Sequence, residues 1–369
     1  MCDNQSPTNP FSSLYPLTFK PLYKDYLWGG RSLERLGKSL PETIVAESWE
    51  ISAHHDGMNI IASGEYAGRT LEDLVLTLGE RLLGSQSYQK YQNTFPLLLK
   101  LIDANEWLSV QVHPDDDYAR IHEHDFGKTE MWYVLEAQPG AQILYGLARD
   151  ITREDFKEIL ESSKISEVLK SVPVHTGDVI YIPAGTIHAA GKGILIAEVQ
   201  QNSNATYRLY DYDRKNPDGT SRPLHLAKAL DSIDFANVLR QGKYEGLDYV
   251  KDGLSIRIII ADPHFCAEII EVTQEASLLA DGQTFMAYTF LSGSAVIEWA
   301  TGSINVRAGE SVLIPANLGH YKLKGNAKAL RAYIGDVEKD IIQPLSSKGY
   351  TRDQMLSSIG GFSSIILEE

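Results

Sequence analysis

The sequence predicts a mainly β protein built as two β-rich units, with a few helices inserted in the first unit and between the two. Three observations predict it. Most apolar residues fall in short runs of strand length broken by Gly, Pro and polar clusters, as in PLLLKLI at residues 96–102 and LSVQVH at 108–113. Only a few stretches carry apolar residues at helical spacing. A twelve-residue pattern also occurs twice, as GDVIYIPAGTIH at 177–188 and GESVLIPANLGH at 309–320, once in each β-rich part. The chain has 369 residues, 43% of them hydrophobic, which is material for one large core or two ordinary ones. The organisation expected is a loose tail over 1–16, a first unit over 17–224, a helical connector over 225–245, and a second unit with its tail over 246–369.

Element by element, residues 17–64 are short apolar runs. Residues 70–83 (TLEDLVLTLGERLL) read as the first helix, with Thr70 and Asp73 as its cap. Residues 96–102 and 108–113 read as strands, the second ending at Pro114. Residues 131–135 and 142–145 read as the arms of a hairpin around Gln138-Pro139-Gly140. Residues 152–169 read as a helix opened by Thr152 and Asp155. Strands follow at 172–174, 179–182 and 194–199, a turn-rich break at 215–223 and a helix at 225–239. From residue 254 to about 334 the pattern is strand again, including a hairpin over 284–299, and 351–359 reads as a short helix boxed by Thr351 and Gln354.

Composition narrows the function. Lys and Arg number 34 against 49 Asp and Glu, a net charge of −15, which argues against nucleic acid and anionic membrane surfaces as partners. Two cysteines, Cys2 and Cys266, allow no disulfide framework and no cysteine-built zinc site; Cys266 reads as a small core residue. No window approaches the roughly 18 apolar residues of a membrane helix, and residues 1–16 lack a signal-peptide apolar region, so a cytoplasmic protein is expected. Nucleophile-elbow, P-loop and dinucleotide-binding motifs are absent from the sequence.

The strongest chemical signal is SVQVHPDDDY at 109–118 followed by GKTEMWY at 127–133. Strand periodicity puts Gln111 and His113 on one face while Val110 and Val112 take the other. Glu130 opens the next strand, and His188 ends the first copy of the repeat, where a Pro-fixed turn sends the chain back inward. Two imidazoles, a carboxylate and an amide oxygen suit a divalent first-row metal, zinc by default. The competing readings are a surface His before Pro, a solvated acidic turn at 115–117, loop decoration for IHEHDFG, and turn or core roles for the repeat histidines; for His320 the turn or core role is preferred. A second cluster, QQNSNATYRLYDYDR at 200–214, offers Arg208 as a bidentate partner for an anion. Tyr207, Tyr210 and Tyr212 read as core there, and Asp213 with Arg214 as a surface pair. Lys100 and Lys128 lie in or beside apolar strands, where an idle amine would be costly.

These segments, with LTFKPLYKDYLWGGR, ESWEISAH and GEYAGRTLEDL upstream, resemble the short bacterial form of the type I mannose-6-phosphate isomerases of the cupin superfamily, over roughly residues 15–335. The resemblance implies a double cupin of two jelly-roll β-barrels, one Zn2+ per chain in the first, and interconversion of mannose 6-phosphate and fructose 6-phosphate through a cis-enediol. It implies Gln111, His113, Glu130 and His188 as metal ligands, and Arg208 and Lys128 as catalytic residues. Lys100, Ser109, Trp28, Glu47, His54 and Asn204 would bind substrate, with Trp28, Glu47, Trp49 and His54 at the pocket mouth. Asn204 departs from the family pattern, where many relatives carry Asp. The second unit lacks the paired ligands in its 284–299 segment and is expected to be a metal-free scaffold. A sugar-phosphate substrate and a monomer or homodimer are expected, with neither nucleic acid nor membrane as partner. The alternatives are a non-catalytic sugar-binding cupin and another metal-dependent cupin enzyme.

Overall fold

The structure is a computed structural model that describes residues 13–162, 164–237 and 242–366. Two antiparallel sheets face each other in the first unit. One runs Lys243–Tyr244, Val179–Ile182, Glu130–Ala137, Ile194–Gln201, Leu97–Ala104, Glu47–Ile51, Leu22–Lys24 in spatial order. The other runs Leu169–Pro173, Gln142–Leu147, His188–Ala190, Val110–Val112, Tyr207–Tyr210. Strand alternation explains why these segments read as nearly unbroken apolar runs. Ile102, Trp132, Val134, Ile180 and Ile196 point between the two sheets and meet Ile143 and Tyr145 there. Leu99, Leu101, Met131, Tyr133, Ala197 and Val199 point the other way, against the helices Leu71–Leu78 and Glu80–Leu83 and the second unit. On the far side, Val110, Val112 and Leu209 lie under the helices Arg153–Glu161 and Leu226–Ser232.

The second unit is a ten-stranded antiparallel sheet dominated by two long strands, Met286–Trp299 and Gly319–Tyr333, folded around its own apolar cluster. Sheet membership does not follow the expected boundaries at 224 and 246. The strand Leu17–Lys20 pairs with Ser311–Ile314 (Leu17 opposite Leu313), so the first described strand belongs to the second unit's sheet. Conversely, Lys243–Tyr244, placed in the connector, pairs with Val179–Ile182 in the first unit.

Several elements differ from their sequence expectation for identifiable reasons. The 70–83 helix divides at Gly79, whose φ is +51°, although Thr70 caps its start as expected by accepting from the Asp73 N–H. The 152–169 helix stops at Glu161; a 3-10 turn covers Ile165–Glu167 and Leu169 opens a strand. The 225–239 helix shortens to Leu226–Ser232, and residues 238–239 lie outside the described residues, as does most of the 1–16 tail. At the C-terminal end, Thr351 and Gln354 do form a capping box on Arg352–Ser358.

Neither expected hairpin forms. The turn at 138–141 closes with the Ala141 N–H donating to the Gln138 carbonyl, yet its arms go to opposite sheets. Residues 284–299 are not two arms but one strand, Met286–Trp299, whose Gly293 (φ +73°) is absorbed in an irregularity near Phe290 and Ser292. The two copies of the repeat also diverge. Both open on a left-handed glycine, Gly177 and Gly309. The next left-handed glycine stands three residues before His188 in the first copy (Gly185) and immediately before His320 in the second (Gly319). His188 is therefore buried between the sheets, whereas His320 is exposed and Tyr321 takes the inward place, which corrects the turn-or-core reading of His320.

Candidate active site

Gln111 sits at the centre of one row across the smaller sheet. It is directly opposite His188 on one side and Arg208 on the other, so all three side chains share the inner face. His113 is two residues further along the same strand face, and Glu130 projects from the facing sheet. His113 Nε2 lies 3.4 Å from Glu130 Oε2, and His188 Nε2 lies 3.2 Å from Glu130 Oε1. The metal-competent atoms of these three residues all fall within 4.8 Å of one another. The Gln111 amide nitrogen is 3.4 Å from His188 Nε2.

Each ring is turned by its other nitrogen. Nδ1 of His113 is 2.9 Å from the Ala205 carbonyl, and Nδ1 of His188 is 2.9 Å from the Thr186 carbonyl. With Nδ1 donating, the Nε2 lone pairs face Glu130, an arrangement typical of metal-binding histidines. Three atoms of the group, His113 Nε2 and both Glu130 carboxylate oxygens, are buried without a hydrogen-bond partner among the described residues. Such orphans are rare in folded proteins, and a bound cation satisfies all three at once. Burial, with Lys128 nearby, holds the His113 pKa well below the usual imidazole value. The Glu130 carboxyl stays ionised against its own burial because His113 and Lys128 lower its pKa.

A cavity of about 310 Å³ opens beside this group. Trp28, Glu47, Lys100, Ser109, Gln111, Lys128, Asn204 and Arg208 line it, with Lys128 Nζ 3.6 Å from Glu130 Oε2. Lys100 Nζ donates to Gln200 Oε1 (2.7 Å) and sits 3.1 Å from Glu198 and 3.8 Å from Glu47. Burial alone would discharge this amine, but the two carboxylates outweigh it and raise its pKa. Lys128, also buried and close to Lys100, has its pKa lowered. Arg208 Nε has no partner among the described residues. Among the lining residues, four cationic side chains (Lys100, Lys128, Arg208, Arg222) face two carboxylates (Glu47, Glu198), a local excess of positive charge in a strongly acidic chain.

Two residues expected at the mouth are elsewhere. Trp49 is fully buried, its ring beneath Lys24 and Lys100 rather than along the cavity. His54 lines a separate groove and is hydrogen-bonded to Asp125 at 3.2 Å. It reaches the lining residue Asn204 through two aspartates: Asp125, which also accepts the Asn204 backbone N–H at 3.3 Å, and Asp56, whose N–H donates to His54 Nδ1 at 3.1 Å and whose carboxylate accepts from Asn204 Nδ2 at 2.8 Å. Sequence reasoning missed Glu198, Tyr26, Arg222 and His225, all of which line the cavity. For Glu198 a signal existed: a carboxylate inside the apolar run ILIAEVQQ deserved the argument applied to Lys100. His225 follows a turn-rich break, and no local pattern marks it.

The chain is similar to known proteins over most of its length. The family description "Phosphomannose isomerase type I, catalytic domain" matches residues 17–167, and "Mannose-6-phosphate isomerase, cupin domain" matches 257–334. The chain is 37% identical over 320 residues to the mannose-6-phosphate isomerase ManA of Bacillus subtilis, covering 86% of this chain and 99% of that protein. It is 33% identical over 319 residues to the mannose-6-phosphate isomerase of Streptococcus mutans, covering 86% and 98%. Its fold superposes on the crystal structure of the mannose 6-phosphate isomerase from Bacillus subtilis with a TM-score of 0.79 at 32% identity, over 86% of this chain and 99% of that one. A mainly β cupin fold and near-full-length similarity thus agree, and the chain belongs to the type I phosphomannose isomerase family.

Proposed function

We propose that this protein interconverts mannose 6-phosphate and fructose 6-phosphate; its relatives are named mannose-6-phosphate isomerases. One observation carries the reading: a buried His–Glu–His group with unsatisfied donor atoms lies against a cavity enriched in cations. We further propose that Gln111, His113, Glu130 and His188 hold one divalent ion, and that it is zinc, which accepts imidazole and oxygen donors in a four-ligand site. When bound, such an ion polarises sugar oxygens as a Lewis acid.

The remaining work falls to side chains. Isomerisation removes the proton from C2 of the aldose and returns one to C1, by way of a cis-enediol. Lys128, the cavity amine nearest Glu130, is assigned to that proton. Arg208, half-buried and with an uncommitted Nε, is assigned to the oxyanion that develops in the transition state. Lys100, clamped between Glu198 and Glu47, supplies a fixed charge for the substrate, and Trp28, Ser109 and Asn204 give the cavity its shape. The cavity is complete within one chain, so a monomer or a homodimer would serve equally. A sugar-phosphate substrate and an acidic chain with two cysteines favour the cytoplasm as its place of action.

The test is a coupled assay of purified protein with mannose 6-phosphate, before chelation, after it, and after zinc is restored. Turnover should vanish with chelator and return with zinc; zinc-loaded protein that forms no fructose 6-phosphate sinks the reading. Arg208→Ala should lower kcat by about 100-fold while thermal unfolding stays close to wild type. Unchanged kinetics would remove Arg208 from its role.

A further inference from the structure

A second cavity, of about 400 Å³, lies in the second unit, between its strands and the helical segment Glu338–Ile342. It is built around a buried ion pair. Arg331 is 8% exposed and Glu268 1%. Arg331 Nε donates to Glu268 Oε2 at 2.8 Å, and Nη2 donates to the same oxygen. Tyr333 donates its hydroxyl to Glu268 Oε1 at 2.8 Å. A buried pair of this kind gains little over apolar residues of the same size, so its presence calls for another explanation.

The guanidinium is only partly used. Arg331 Nη1 has no hydrogen-bond partner among the described residues, and neither does the hydroxyl of Tyr249, a lining residue only 9% exposed. Asp340, also lining, uses one carboxylate oxygen for the Asp336 N–H and keeps the other. Unspent donors and acceptors therefore line one concave space of ligand-binding size.

The charge balance selects the ligand class. Glu268 already neutralises Arg331, and carboxylates among the lining residues outnumber cations four to three, so an anion gains nothing here. A molecule rich in hydroxyl groups can both accept from Arg331 and Tyr249 and donate to Asp340. We infer that this cavity binds a small neutral polyhydroxylated ligand, of the class of a free hexose, at a site separate from the one that takes the phosphorylated sugar. The inference does not rest on the isomerase reading, because none of these residues lines the first cavity.

Titration calorimetry of the full-length protein with D-mannose, D-glucose and inorganic phosphate tests it. Tyr249→Phe removes one hydroxyl and no bulk; Asp340→Asn removes one charge; Arg208→Ala marks the first cavity. We expect saturable binding of at least one hexose that survives Arg208→Ala and weakens about tenfold in Tyr249→Phe, with mannose 6-phosphate turnover unchanged in Tyr249→Phe. The inference is overturned if neither hexose binds. Hexose binding lost in Arg208→Ala but untouched by Tyr249→Phe and Asp340→Asn overturns it too, as does phosphate binding that Tyr249→Phe abolishes.

Discussion

Asn204 shows how a residue is chosen by its neighbours. Its Nδ2 donates to Asp56 Oδ2 at 2.8 Å and its backbone N–H to Asp125, so the position faces two carboxylates. The side-chain amide donates to Asp56, while the backbone makes the Asp125 contact; an acid would lose the donor to Asp56 and meet like charge. Asn204→Asp should therefore lower unfolding free energy by about 1 kcal/mol at neutral pH. The loss should shrink near pH 4, where the new acid, raised by its neighbours, is protonated; denaturation at both pH values decides it. Asn204 was legible as a departure from its family pattern, but the reason was not, because Asp56 and Asp125 are 148 and 79 residues away in the chain.

Strand parity was the most readable feature at the scale of elements. Once 108–113 was taken as a strand, Gln111 and His113 had to share a face, and they do. What the sequence concealed was which strand would lie beside which. The 138–141 turn is locally correct, yet its arms separate into different sheets: Glu130–Ala137 pairs with Ile194–Gln201, and Gln142–Leu147 with His188–Ala190. Parity also makes the Leu97–Ala104 and Ile194–Gln201 strands cooperate: Glu198 stands opposite Lys100 and the two side chains pair. Lys100→Met would leave the buried Glu198 and the half-buried Glu47 without their shared cation. It should destabilise the fold by about 3 kcal/mol. Adding Glu198→Gln should recover part of that loss in thermal unfolding, and no recovery would show that the amine acts on its own.

Across the whole molecule, the two units are fastened by a histidine. His264 lies 3.0 Å from Asp116 of the first unit and 2.7 Å from Asp262, which also accepts the Tyr181 hydroxyl at 2.6 Å. Burial opposes its charge, but the two carboxylates prevail and lift its pKa to about 9. A raised imidazole pKa contributes its full stability below the unfolded value of about 6.5, and the contribution fades as pH climbs through about 9. Stability should thus fall between those values by on the order of 2 kcal/mol, and His264→Gln should flatten that slope. A denaturation series from pH 6 to 10 in which the variant keeps the wild-type slope would exclude this fastening.

The strand Leu17–Lys20 has a consequence for how the protein is made. Its partner, Ser311–Ile314, is synthesised some three hundred residues later. Translation runs at about 5–20 residues per second, so this strand, whose Phe19 and Lys20 can pair early with Ile60–Ile61, leaves the ribosome with Leu17 and Thr18 bare and waits many seconds for their mates. Nascent chains arrested before residue 311 should hold this segment open to proteases, and those released after it should not.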